Sequence, residues 1–278
     1  MLKGLGLRYF VLSFYALFSY SNSVFSFSSN EVVKLKNNSV NSQPIASEKI
    51  TIFPQLQPVL AFTAGSFISQ LGQSQSFQPL DLCSYEYKPK DANTTTMLWG
   101  GFVGSEVVRA SFWRLIAGLA YYQPNGLSTR GILTQGADAE SAESYNYSYQ
   151  IDSQQLLAEG KLYWSAKETI QPFLMVGIGA AFNKTSHYQT NVPPFLEFTP
   201  VFFNQTQTNF TYAIGPGVDL SLSKSFRIGV AYRFTDLGAA NTGSAQIDGI
   251  TIASTLKQSH LYANQVLAQF TFTPLIKD

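Results

Sequence analysis

Two histidines, His187 and His260, are the only imidazoles in 278 residues, and each adjoins a serine, Ser186 and Ser259. An imidazole with a hydroxyl nucleophile and an acid is the constellation of acyl transfer. His187 falls in a long connection. His260 falls at the start of the last strand, on the side of its apolar residues, where a lipid deacylase would want it. Neighbours on an extended strand point to opposite faces, which separates each serine from its histidine. The lone cysteine, Cys83, has no disulfide partner and reads as a loop residue without a role. Gly177-x-Gly179 and Gly215-x-Gly217 have the spacing of nucleotide loops, yet neither opens a helix, so their work is steric. No cluster has metal-ligand spacing, and no cofactor is expected.

The fuller inventory is ionic. Glu106, Arg114, Glu159, Lys161, Asp219, Arg227 and Arg233 each lie in an alternating stretch, on the face opposite the large apolar side chains. Their spacing pairs Glu106 with Arg114 across one turn, Glu159 with Lys161 two residues on, and Asp219 with Arg227 across another turn. In a narrow interior such groups lose water, so each needs a partner.

The elements that position these charges are strands. Thr208 to Gly238 reads as two strands around a turn at Ser223-Lys224-Ser225. Phe226, Ile228, Val230, Tyr232 and Phe234 share one face; Arg227, Gly229, Ala231 and Arg233 share the other. Only a period of two separates these sets. The same alternation marks Pro58–Ser69, Met97–Val108, Ser111–Gln123, Tyr145–Ser165, Thr169–Asn183 and Ser259–Thr273, which makes about eight strands. The connections alternate in length. Polar loops are expected over 71–96, 124–143, 184–207 and 239–256, and tight turns at Val108–Ser111 and Ala166–Glu168. Pro216, mid-strand between glycines, removes a ladder donor and predicts a bulge.

Composition narrows the class. Charged residues are 13% and net charge is +1, without the basic stripe that nucleic-acid binding requires. After the N-terminus no apolar run reaches the roughly 18 residues of a spanning helix. Residues 1–28 read as a signal peptide: a basic start at Lys3 and Arg8, an apolar core from Tyr9 to Tyr20, and small residues for cleavage after Ser23, Ser26 or Ser28. Residues 29–57, with Pro44 and Pro54, read as a flexible tail, in which 49–53 has the pattern of a short local strand.

Apolar faces with aromatics toward both ends, opposite small or charged faces, are the pattern of a transmembrane barrel. The expected fold is all-β: an eight-stranded antiparallel transmembrane up-and-down β-barrel over 58–273, with a tail at 274–278. Trp113, Tyr121, Trp164, Phe226, Tyr232 and Phe234 are the expected girdle aromatics. Lipid-facing Arg or Lys at mid-depth costs about 2–4 kcal/mol, so the same register puts all seven charges in the lumen.

GVAYRFTDLG, following a Gly-x-Gly strand and a serine-lysine turn, resembles the penultimate hairpin of the OmpA-like/opacity-type outer-membrane β-barrel superfamily. NQVLAQFTF is similar to that family's closing strand, whose aromatics, here Phe270 and Phe272, resemble the signal read by the barrel-insertion machinery. Leu267-Ala268 stands where the family often has glycine, and the chain continues past the signal. The resemblance implies a bacterial outer-membrane location with both termini periplasmic. It implies outer-membrane lipid and lipopolysaccharide as surroundings, and a host surface ligand as the partner its loops would meet. The family spans adhesins, structural tethers and small pores. The expected function is a non-enzymatic structural and surface role. The alternatives are a narrow channel gated by the lumen ion pairs and a lipid-modifying enzyme. Tyr145, Tyr147, Tyr149 and the stretch 193–203 are expected at or beyond the outer rim, to anchor in the interface, bind a surface or stack into an extended hairpin.

Overall fold

The computed structural model describes residues 50–52, 57–79, 83–90, 93–136, 141–164, 169–193 and 199–274. The expected signal peptide, nearly all of the expected tail, the turn at 166–168 and residues 275–278 lie outside the described residues.

Alternating stretches become strands because one face can be apolar while the other meets polar neighbours. In chain order they are β1 (Thr51–Ile52), β2 (Pro58–Gln70), β3 (Gln75–Phe77), β4 (Ser84–Pro89), β5 (Asn93–Arg109), β6 (Trp113–Pro124), β7 (Leu127–Gly136) and β8 (Glu143–Trp164). Then follow β9 (Ile170–Thr190), β10 (Val201–Phe202), β11 (Gln205–Ser221), β12 (Phe226–Asp236), β13 (Ala245–Ile247), β14 (Ile250–Ile252) and β15 (Tyr262–Phe272). Eight of them close a ring. β2, β5, β6, β8, β9, β11, β12 and β15 pair in turn, all antiparallel, and β15 returns to β2. Closure leaves the ring without an exposed edge.

The wall does not stop where the ring is complete. β8 and β9 run for 22 and 21 residues, whereas a tilted strand crosses a bilayer in about 9–11. β8 pairs with β6 along 155–164 and with β7 along 143–151. β7 then pairs with β4, and β4 with β3. Within the stretches expected as polar loops at 71–96, 124–143 and 184–207, residues 75–77, 84–89, 93–96, 127–136, 184–190 and 205–207 are therefore wall. Alternation continues through them, with tyrosine and leucine facing in, but their polar outer face lacks the apolar band and reads as loop.

The fourth long connection turns inward. Across its base Leu261 bonds two residues, accepting from Leu237 N at 3.0 Å and donating to Gly238 O at 2.8 Å. Asn183 Nδ2 on the inner wall donates to Leu237 O and Ala239 O, both at 2.8 Å, and Thr185 Oγ1 donates to Asn241 O at 2.8 Å. Within this connection β13 pairs with β14 and with β10, and Ala240, Ala245, Ile247 and Leu256 are buried.

Register departs from the regular pattern at two places, neither of them Pro216. Ile214 opposite Phe234 and Gly217 opposite Ala231 stand on one register, so β11 passes its proline without the expected bulge. The pairing of Pro216 with Leu174 on the other side is also kept. Thr51–Ile52 pairs with the end of β5, which gives the expected short strand in the tail a partner. The steric work expected of the paired glycines is against adjacent strands: a β-carbon at Gly217 would enter the Phe173 ring one strand away.

Candidate functional site

Side-chain parity divides the ring into an apolar outside and a polar inside. Val230 is 63% exposed while Ala231 beside it is buried, and Val176, Ile178, Ile214 and Val266 also face outward. Aromatics bracket this band. Toward the short-turn end Trp113 stands opposite Trp164, and Phe226 packs with Phe270 and Phe272 at ring distances of 5.7 and 5.0 Å. Toward the other end Tyr121 meets Trp99 at 5.7 Å, Phe234 meets Tyr212 and Tyr262, and Tyr232 bonds Asn264.

The seven charges lie inside, all buried. Arg114 Nη1 is 3.9 Å from Glu106 Oε2, Lys161 Nζ is 3.4 Å from Glu159 Oε1, and Arg227 Nε is 3.8 Å from Asp219 Oδ2. Arg233 joins the second pair, with Nη1 4.0 Å from Glu159 Oε2. Tyrosines and amides complete the network. Tyr122 donates to Glu159 and Tyr163 donates to Asp219, each at 2.9 Å. Arg114 donates to Gln171 at 2.6 Å, Lys161 to Gln269 at 2.6 Å, and Arg233 to Gln265 at 2.7 Å. The Arg233 guanidinium also lies over the Tyr122 ring, 3.6 Å from its centroid. Fixing cations on ring faces and amides in this way holds them without full pairing by carboxylates.

Arg109 is the charge that parity counting misses. β5 carries one extra residue between Glu106 and Val108, so the faces exchange there. Arg109 is thereby opposite inward-facing Arg114, and both its Nε and its Nη2 donate to Glu106. Nothing in the periodicity marks the bulge. The lumen amides Gln155, Gln171, Gln265 and Gln269, by contrast, sit on the inward parity and follow from it.

Above the ionic half the inward face turns aromatic. Tyr147 and Tyr149, expected at the outer rim, are buried, because β8 keeps the parity that places Glu159 in the lumen. Tyr87 packs edge-on to Tyr147 at 5.1 Å and to Phe202 at 5.8 Å, and its hydroxyl is 3.2 Å from that of Tyr188. Phe77 and Tyr85 stack on this cluster. Burial pushes the Tyr149 phenol up to about 12 and raises that of Tyr87 further. Of the stretch 193–203, residues 194–198 lie outside the described residues; Val201 and Phe203 are exposed and Phe202 enters the cluster.

The histidines divide the parts of a catalytic set between them. Ser186 Oγ lies 3.0 Å from His187 Nδ1, although adjacent strand residues were expected to diverge. The cause is a second bulge. His187 and Tyr188 of β9 together oppose Tyr149, and His187 has a φ of 55°. His260 Nδ1 lies 3.0 Å from Asp236 Oδ2 and its ring stacks on Tyr262, while Ser259 turns to Gln73. One histidine thus holds a hydroxyl and the other a carboxylate. Among the described residues no three His, Cys, Asp or Glu gather to hold a metal. Cys83 is a free thiol, partly buried beside the aromatic cluster.

No family model and no curated protein sequence matches the chain. Solved structures do resemble it. The outer membrane protein OprG from Pseudomonas aeruginosa aligns over 81% of this chain and 100% of its own, at 11% identity and a TM-score of 0.47. Neisserial surface protein A aligns over 78% and 96%, at 9% identity and a TM-score of 0.39. The outer membrane protease OmpT from Escherichia coli aligns over 81% and 98%, at 8% identity and a TM-score of 0.41. At such values the likeness carries nothing about activity, and the architecture rests on this chain's own strand pairing.

Proposed function

We propose that this chain is an integral bacterial outer-membrane β-barrel with a structural and surface role, non-enzymatic, whose long wall stands clear of the membrane and presents its outer face for adhesion or host contact. The observation that carries the reading is the filled interior. Buried ion pairs occupy the short-turn end, which is the periplasmic end in this reading. Buried aromatics and the inward-folded connection 237–261 occupy the extracellular end. The apolar band between aromatic belts supports the membrane setting. The division of the histidines, each with only part of a catalytic set among the described residues, supports the non-enzymatic reading.

Planar-bilayer recording tests it. The purified protein should give near-zero current, and Arg114→Ala and Glu106→Ala should leave it so; steady conductance that either variant enlarges would establish the gated channel instead. Migration of the unboiled membrane fraction checks the barrel itself, since a folded barrel shifts and an unfolded chain does not. A change in lipid A mass between cells with and without the protein would replace the structural reading with an enzymatic one.

A further inference from the structure

We propose that the short-turn end of the lumen binds a small inorganic anion between Arg114 and Arg227. Both residues are more than nine-tenths buried, at 8% and 7% exposure. Their guanidinium carbons lie 4.8 and 5.5 Å from the centroid of one ring, Tyr163, so both like charges border the same side chain. Each keeps unused donors. Arg227 Nε and Nη2 and Arg114 Nε have no hydrogen-bond partner among the described residues. A charged donor left unsatisfied in a desolvated site costs more than a neutral one, and an anion satisfies several at once.

Neither nearby carboxylate hydrogen-bonds these two arginines. Glu106 accepts both Nε and Nη2 of Arg109, and its separation of 3.9 Å from Arg114 is beyond hydrogen-bond reach. Asp219 Oδ2 accepts from Tyr163 at 2.9 Å and stands 3.8 Å from Arg227 Nε. The other oxygen, Asp219 Oδ1, also unpartnered, lies against Gly229 on the neighbouring strand. Glu159 serves Lys161 and Arg233 farther along the lumen. Among the described residues four buried cations, Arg114, Lys161, Arg227 and Arg233, face three buried carboxylates, one of which is already bonded by the half-exposed Arg109. Bidentate guanidinium geometry suits a single oxyanion such as phosphate, and chloride presents the same charge in a smaller volume.

The experiment uses the full chain folded in zwitterionic detergent, with thermal unfolding followed at fixed ionic strength in chloride, phosphate or gluconate. Chloride or phosphate should raise the midpoint of the wild type by roughly 5 °C or more at a hundredfold excess over the dissociation constant. Gluconate, which is too large, should not. Arg227→Gln and Arg114→Gln should lose the response, and Lys224→Gln in the exposed turn should keep it. An equal rise in wild type and Arg227→Gln, or no rise in the wild type, overturns the proposal. If the arginine variants do not fold, crystals of the wild type grown in bromide decide. An anomalous peak against the Arg114 and Arg227 nitrogens upholds the site, and bromide at the protein surface alone refutes it.

Discussion

Removing Glu159 should strand two buried cations. Its carboxylate stands 3.4 Å from Lys161 and 4.0 Å from Arg233, and it accepts the Tyr122 hydroxyl. Glu159→Gln keeps the shape and an oxygen for Tyr122, so the loss is one of charge. At an effective dielectric of about 20, an ion pair at 4 Å is worth about 4 kcal/mol, and breaking a buried pair from one side costs about 3–5 kcal/mol. Arg233 is fully buried, and Arg233→Met removes its charge while filling much of its volume. Each single variant should therefore lose about 3–5 kcal/mol. The double variant leaves only Lys161 to be compensated and should lose far less than the sum, with a coupling of about 2 kcal/mol or more. Urea unfolding in lipid vesicles, read from the belt tryptophans Trp113 and Trp164, measures all four corners of the cycle. Losses that add to within about 0.5 kcal/mol would show that the two groups do not depend on one another, and the network reasoning would fail.

Four other outcomes follow from the same geometry. Val230→Arg puts a charge at the middle of the outer band and should cost about 2–4 kcal/mol of folding free energy in vesicles. A spin label at Val230 should report acyl chains and one at Ala231 should not; the reverse would invert the barrel. Burial holds the Tyr149 phenol proton in the folded state at pH values where the unfolded chain has lost it. The Tyr149 share of the phenolate absorbance should thus lag in the native protein until about pH 12, and stability should fall as pH climbs above the ordinary phenol value near 10. A full phenolate signal at pH 10.5 from folded protein would refute that burial. Finally, Val230 faces Ala268 across β12 and β15. With Cys83 replaced by serine, cysteines at 230 and 268 should cross-link in the native register. A 230/267 pair should not, unless the lumen charges are replaced by apolar residues, when both pairs should form.

The barrel was legible because its alternation is an energetic requirement at every step of the ring. A strand such as Phe226–Asp236 cannot face lipid with both Val230 and Arg233. The ionic pairs were legible for the same reason: once Glu106, Glu159 and Asp219 share the inner face, Arg114, Lys161 and Arg227 are the counterparts parity offers, although Glu106 bonds Arg109 more closely than Arg114. What the sequence hid lies where period two is interrupted or its contrast disappears. The extra residue at Val107 reverses the face on which Arg109 falls, and the one at His187 brings Ser186 beside its own neighbour. Neither site carries a glycine or proline to announce it. Above the band, water replaces lipid and the outer face becomes polar, so β3, β4 and β7 lose the signal that marks β12. There Tyr147 and Tyr149 look like exposed loop aromatics until the inner wall is traced upward.

Why the lumen is ionic at all is a question of alternatives. Apolar residues of equal volume would fill it as stably or more so, since desolvating charges offsets much of their attraction. An apolar lumen, however, would make the two faces of every strand interchangeable. Sliding one strand by a residue exchanges its faces. With the present residues a slip of β12 alone would deliver Arg227 and Arg233 to the lipid face, at a cost of about 2–4 kcal/mol for a cation at mid-depth and less beside the belt. The same slip would bury Val230 and Ile228 against Glu159 and Asp219. The interior charges therefore act most strongly on registers the chain does not adopt. The surplus of cations is met inside by neutral groups: Arg114, Lys161 and Arg233 donate to glutamines, and Arg233 also lies over the Tyr122 ring. The aromatic half above the band needs no such device: both of its faces meet water or protein, and Tyr87, Tyr147 and Phe202 fix its packing by shape.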